Sequence, residues 1–121
     1  MRAVRDLDVF RRAYALSLSI HRGSLGFPKV EQFGGVAEQL RRASKAVCAL
    51  LAEGAGRQAS SDAELRRYVI MALGSADEAK LWCEYARDLG YAEAADVQRW
   101  IDELSEIARM LRGLAQYLSG N

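Results

Sequence analysis

Apolar residues recur every three or four positions in four long stretches of this chain. This spacing places them along one face of an α-helix. The stretches run over about residues 6–22, 31–54, 62–89 and 93–118. The sequence contains one proline, Pro28, which lies at the gap between the first two stretches. No segment alternates apolar and polar residues as a half-buried strand does. The pattern predicts an all-α protein with four helices.

Short connections separate the four predicted helices. Helices joined by few residues pack antiparallel, so the sequence predicts an up-down-up-down four-helix bundle. A chain of 121 residues has the length of one domain, and we assign residues 1–121 to a single bundle. The apolar face of the second helix is predicted to begin at Phe33. Because Gly34 and Gly35 weaken its first turn, the regular helix is expected to begin only near Gly35.

Several features predict a cytoplasmic protein. No run of about 18 uncharged apolar residues is present, so no membrane span is expected. The amino-terminal residues MRAVRDLDVFRR are charged throughout and lack the apolar core of a signal peptide. Cys48 and Cys83 lie far apart in the sequence, and we expect both to be free, buried thiols in a reducing compartment.

The stretch Glu53-Gly54-Ala55-Gly56-Arg57 has the glycine content of a phosphate-binding loop. A P-loop, however, requires Gly-x4-Gly-Lys-Ser/Thr after a strand, and this stretch follows a predicted helix without that spacing. We interpret it as the end of the second helix, closed by a left-handed glycine at Gly54 or Gly56. Arg57 is expected to pair with Glu53, which lies four residues earlier.

The remaining residues offer little for catalysis. His21 is the single histidine, and neither His-x3-His nor Cys-x2-Cys, two spacings typical of metal sites, occurs in the sequence. A catalytic thiol–imidazole pair, formed by His21 with Cys48 or Cys83, is the alternative to a chain without catalytic residues. We expect no metal, no cofactor and no enzymatic activity.

Charge is unevenly distributed along the chain. The net charge is +1, but residues 1–60 carry +5 and residues 61–121 carry −4. Such asymmetry is typical of a protein with an anionic partner. It also fits the basic surface of one subunit that meets the acidic surface of another.

Basic residues on the predicted helices are candidates for binding nucleic-acid phosphates. The candidate set is Arg41, Arg42, Lys45, Arg57, Arg66 and Arg67, with Arg11 and Arg12 as further members. The alternative is a solvated helix face with internal pairs such as Glu38–Arg42. The sequence pI of about 7.8 lies below the value above ~9 that is usual for a dedicated nucleic-acid-binding domain.

Some apolar residues lie off the main stripes and beside charged residues. They predict a second buried surface, between subunits; the alternative is a wide core stripe. The candidate interface consists of Leu50, Ile70, Leu73, Gly74 and Leu81. Gly74 is included because a glycine inside a helix allows another helix to approach closely.

Four short motifs together resemble the four-helix-bundle family of ribosomal-RNA intervening-sequence proteins over nearly the whole chain. The motifs are Phe27-Pro28, Gln39-Leu40-Arg41-Arg42, Glu53-Gly54-Ala55-Gly56-Arg57 and Ala72-Leu73-Gly74-Ser75. The chain departs from the family pattern at residues 46–51, where apolar residues replace a serine, a proline and an asparagine.

This resemblance implies a bundle that assembles into a ring-shaped homo-oligomer, a pentamer, without established enzymatic activity. The chain is also similar to the accessory variability protein of diversity-generating retroelements, a ring that partners a reverse transcriptase and nucleic acid. We therefore expect a non-enzymatic accessory protein that binds RNA or a reverse-transcriptase-like partner. The alternative is a structural or protein-interaction ring without a nucleic-acid role.

Overall fold

Four long α-helices make up the fold in the computed structural model, which describes residues 4–57 and 61–120. The helices are α1 (Asp8–Ser24), α2 (Val36–Arg57), α3 (Asp62–Asp88) and α4 (Ala94–Leu118). Single 3-10 turns at Val4–Asp6 and Lys29–Glu31 precede α1 and α2. The described residues contain no strand. The prediction of an all-α protein with four helices is confirmed.

One continuous apolar core lies between the helices. α3 packs against α2 and α4, and α1 packs against the same two helices. Ile20, Leu40, Val69 and Leu111, one from each helix, are fully buried at the centre. Each such side chain stabilises the fold by about 1.5–3 kcal/mol relative to an exposed position. Burial of the predicted helical faces therefore holds the four helices together.

Hydrogen bonds at both ends fix the limits of α3. The Ser61 hydroxyl accepts the backbone N–H of Glu64 at 3.1 Å, which caps the first turn. At the other end Gly90 adopts a φ of 72°. The backbone N–H of Tyr91 then reaches the carbonyl of Ala86 at 2.9 Å and satisfies an otherwise free acceptor of the last turn.

The role predicted for the glycines of the Glu53–Arg57 stretch was wrong. α2 continues through both of them to Arg57, and the left-handed glycines in the described ranges are Gly34, Gly90 and Gly120. Gly54 is instead buried against α3. A Cβ atom added to it would lie 2.6 Å from the Cβ of Tyr68. Glycine is required there because α2 and α3 approach too closely for any side chain.

The prediction that Phe33 belongs to the apolar face of α2 was also wrong. α2 begins at Val36, and Phe33 lies before it with 88% of its surface exposed. Gly34 takes a φ of 75°, which interrupts any helix at that point. The Glu38 carboxylate accepts the N–H of Gly34 at 2.6 Å and stabilises this non-helical turn.

Candidate nucleic-acid interface

His21 is surrounded by cations where α1 ends against α2. Lys45 Nζ lies 2.9 Å from His21 Nδ1, so an ammonium donor requires the imidazole proton to sit on Nε2. Lys45 is the main cause of a lowered His21 pKa, followed by partial burial and by Arg41 and Arg22. All the charges that shift this pKa are positive. We call these four residues, His21, Arg22, Arg41 and Lys45, the His21 cluster.

Arg41 holds the connection between α1 and α2 in place. Its Nη1 donates to the buried Ser24 hydroxyl at 2.9 Å, and its Nη2 donates to the Gln32 carbonyl oxygen at 3.2 Å. Arg41 was predicted as a candidate phosphate ligand. The structure shows that it also fixes the local backbone, since two of its donors are already used inside the chain.

Arg42 is the basic residue of this region with the greatest freedom. It is exposed, and it makes no hydrogen bond or ion pair with any residue in 4–57 or 61–120. The alternative pair Glu38–Arg42 does not form, because the Glu38 carboxylate accepts the N–H of Gly34 instead. Arg42 lines a shallow depression between α2 and α3 together with Ser75 and Glu78. Its guanidinium is therefore available to an external anion.

The other predicted phosphate ligands form a second, separate group where α2 ends and α3 begins. Arg57 lies sixteen residues after Arg41 on α2, roughly 24 Å along the helix axis. Arg57 pairs with Glu53 at 3.7 Å, as predicted. Arg67 pairs with Glu64 at 3.4 Å, and its guanidinium lies 4.8 Å from the ring centre of Tyr68.

Arg66, Arg11 and Arg12 are likewise engaged within the chain. Arg66 Nε donates to the carbonyl oxygen of Ala115 at 3.0 Å and ties α3 to α4. Arg12 Nε donates to Glu103 at 2.9 Å across the α1–α4 contact, and Arg11 pairs with Asp8. The predicted basic residues therefore do not form one surface. Within this predicted set, Arg42 is the residue without a partner among residues 4–57 and 61–120.

The connection between α1 and α2, residues 25–35, is firmly braced beside the His21 cluster. Gln32 Nε2 donates to the carbonyl oxygens of Ser24 at 2.9 Å and Phe27 at 3.0 Å. The Glu31 carboxylate accepts from the Tyr91 hydroxyl at 2.5 Å and the Val36 N–H at 2.8 Å. These bonds lower the pKa of Glu31, because each stabilises its charged form.

Comparison with known proteins places the chain in a family. The family model described as 23S rRNA-intervening sequence protein matches residues 5–113. The chain belongs to this family. A solved structure from the S23 ribosomal protein family of Bacteroides thetaiotaomicron, of unknown function, is 19% identical with a TM-score of 0.76. The alignment covers 88% of this chain and 97% of that chain, and it bears on the fold alone. No curated protein matches the sequence.

The structure explains two motifs of this member of the 23S rRNA-intervening sequence protein family. In Gln39-Leu40-Arg41-Arg42, Leu40 is buried in the core, Arg41 fixes the α1–α2 connection and Arg42 faces outward. In the Glu53–Arg57 motif, Gly54 allows close packing of α2 on α3. Sequence reasoning did not group His21 and Arg22 with Lys45, because these residues meet through the packing of α1 on α2.

The five residues predicted for a subunit interface lie in two kinds of environment in this family member. Leu50 and Leu73 are half-buried and pack against the core. Ile70 and Leu81 are 43% and 48% exposed on α3. Apart from the surrounding backbone of α3 itself, no described atom lies within 4 Å of a Cβ placed on Gly74. Gly74 therefore has no role in packing the described part of a single chain.

The thiols of this family member are poor candidates for nucleophiles. Burial raises the pKa of Cys48 to about 11 and that of Cys83 to about 12, so both stay protonated at neutral pH. His21 contacts Lys45 and neither thiol. Among residues 4–57 and 61–120, no group of three or more His, Cys, Asp or Glu side chains could hold a metal ion. No helix in the same ranges could span a membrane.

The His21 pKa offers a direct test of the cluster geometry. Replacing Lys45 with glutamine should raise the pKa of His21 towards its ordinary value of 6.5, because the nearest cation is lost. The pKa of His21 is lower in the folded chain than in the unfolded chain. The stability that His21 contributes is therefore present above the unfolded-state pKa, and it is lost as the pH falls through the folded-state pKa. NMR titration of the imidazole measures the shift. The distant variant Arg112→Gln is the control, and an unchanged pKa in Lys45→Gln would contradict the geometry.

Proposed function

We propose that this family member is a non-enzymatic, oligomeric cytoplasmic protein that binds RNA, or an RNA-handling partner such as a reverse-transcriptase-like protein. The observation that carries the proposal is the His21 cluster, in which every charge that acts on the imidazole is positive. Arg42 follows Arg41 on α2 and lines the depression towards α3, and this fourth cationic side chain is free of partners within the described residues. Together they form a local anion site on a chain of net charge +1.

Phosphate groups are the anions that suit this site best. Arginine and lysine side chains that neutralise phosphates release condensed counterions, which makes binding favourable and dependent on salt. The cluster also holds an imidazole, and a bound phosphate would favour its protonated form. RNA binding should therefore raise the pKa of His21 and strengthen as the pH falls through it. Phosphate contacts carry no sequence information, so we expect little sequence preference.

We further infer that the helices run up-down-up-down and that the bundle assembles into a ring of identical subunits, a pentamer. Two hydrogen bonds support this helix order. Tyr68 near the start of α3 donates to Glu53 near the end of α2, and Arg66 near the start of α3 donates to Ala115 near the end of α4. The ring is supported by Ile70, Leu81 and Tyr85, which are exposed apolar residues on α3. A ring would repeat the His21 cluster and so strengthen binding to a long anion.

The experiment for RNA binding is filter retention of a structured RNA that contains single-stranded loops, at ~50 and ~200 mM salt. The double variant Arg42→Glu, Lys45→Glu should weaken binding at least about tenfold, because it removes cations and adds anions at the phosphate site. Arg41 is left unchanged, since its loss would also release the α1–α2 connection. Affinity of the parent should fall steeply between the two salt concentrations.

The matched control carries the same change of charge late in α4, in Arg109→Glu, Arg112→Glu. Both arginines are exposed, and the ion pair of Arg109 with Glu106 lies at the surface, where pairs contribute ~0–1 kcal/mol. This control should bind RNA nearly as the parent does. Equal losses in the two double variants would show a general charge effect instead of a site. Failure of the parent to retain RNA at ~50 mM salt would favour the protein-interaction ring.

A further inference from the structure

We propose that Phe33 is a stacking platform for an unpaired RNA base, and that phosphates of the same strand lie on the His21 cluster. The site would then select single-stranded over double-stranded RNA. This inference rests on the RNA-binding function proposed above and assigns the class of nucleic acid to that site. It starts from the aromatic ring of Phe33, which is exposed and does not belong to the core.

Phe33 is exposed although its backbone is held in place. Its surface is 88% exposed. On one side, Gln32 binds the carbonyl oxygens of Ser24 and Phe27 through its side chain. On the other side, the N–H of Gly34 is bound by the Glu38 carboxylate. Because this backbone is already held in place, only the side chain loses freedom when the ring binds a partner, which favours its use as a contact residue.

One cation, Arg41, is bound to the backbone immediately before Phe33. Arg41 Nη2 donates to the carbonyl oxygen of Gln32 at 3.2 Å, and that carbonyl forms the peptide bond that leads into Phe33. The same guanidinium is one of the charges that act on His21. Arg41 thus links the segment that carries Phe33 to the His21 cluster.

A flat apolar ring next to phosphate-binding cations matches one chemical class, a nucleotide with a free base. Proteins that bind single strands combine a cationic surface with aromatic side chains on which bases stack. In a duplex the bases are stacked on each other, and the wide minor groove of RNA offers hydroxyls and base edges instead of base faces. Val30 is 80% exposed in the same connection. It lacks an aromatic face, so it serves as a control position.

The experiment compares the affinity of oligoadenylate with that of the duplex formed by oligoadenylate and oligouridylate, at low salt. Phe33→Leu keeps an apolar side chain and removes the ring, whereas Phe33→Tyr keeps the ring. We expect Phe33→Leu to weaken binding of the single strand about 5- to 100-fold. Phe33→Tyr should bind nearly as the parent, and Val30→Ala should have no effect. Binding of the duplex should be weaker and equal in all four proteins.

Each other outcome overturns the inference in a recognisable way. If both forms of RNA bind equally and Phe33→Leu has no effect, stacking is wrong while phosphate binding stands. If neither form binds the parent even at ~50 mM salt, the RNA-binding function fails and the inference fails with it. If Phe33→Leu lowers the mass seen by light scattering, the ring contacts another copy of the chain instead of a base.

Discussion

Replacing Gly54 with leucine is expected to lower the free energy of unfolding by roughly 3 kcal/mol. Even the first atom of the new side chain would lie 2.6 Å from the Cβ of Tyr68 and 3.1 Å from Leu65 Cδ1. The Cβ of Tyr68 cannot move without its backbone, so α2 and α3 must separate along their contact. Overpacking of this kind typically costs ~1–3 kcal/mol, and a large side chain at a backbone contact lies at the upper end.

Gly56→Leu is the matched control for this prediction. Gly56 lies two residues further along α2 and is exposed. Apart from the surrounding backbone of α2 itself, no described atom lies within 4 Å of a Cβ placed on it. Leucine has a higher helix propensity than glycine, so this variant should be as stable as the parent or more stable by up to ~1 kcal/mol. Urea unfolding followed by circular dichroism measures both variants. Equal stability of the two leucine variants would contradict the close approach of α2 and α3.

Placing glutamate at Ile70 and Leu81 is expected to dissociate the proposed ring. The parent should show several times the mass of 13.4 kDa by light scattering at micromolar concentration, and the double variant should show the mass of one chain. Both side chains are about half exposed on α3 of a single chain, so the changes should leave the bundle folded. Burying two unpaired carboxylates in a subunit contact would cost several kcal/mol per subunit.

Two further variants separate a subunit contact from a general effect of charge. Leu25→Glu, Tyr117→Glu adds the same charge at exposed positions outside α3, and it should keep the mass of the parent. Gly74→Leu should also dissociate the ring without destabilising the single chain, since no described atom apart from the surrounding backbone of α3 lies near its Cβ position. A parent protein with the mass of one chain would rule out the ring and the multivalent binding that depends on it.

Helical periodicity was sufficient to predict four helices, because an apolar residue every three or four positions can be buried on one side of a helix and on no other regular structure. The four motifs were sufficient to identify the family, which the match over residues 5–113 confirms. The i,i+4 pair of Glu53 and Arg57 was also predictable, since both residues lie on one helix and their separation follows from its geometry.

The errors concern contacts between different elements. Gly54 and Phe33 both lie next to glycines that can end a helix. Gly54 is buried because α3 packs closely against it. Phe33 is exposed because the turn at Gly34 keeps it out of α2. Periodicity records which residues can share a face of one helix. It contains no information about how near the next helix comes, so a glycine that ends a helix and one that admits a neighbour look alike.

The His21 cluster depends on tertiary structure in the same way. His21 and Lys45 are 24 residues apart and meet because α1 and α2 pack together. Arg41 and Arg42 are adjacent and chemically identical in the sequence, yet Arg41 is bound to Ser24 and Gln32 while Arg42 is free within the described residues. The sequence determines which charges each helix carries. The packing of the helices determines which of these charges are neutralised or held inside the chain, because electrostatic and hydrogen-bond energies depend on distance in space.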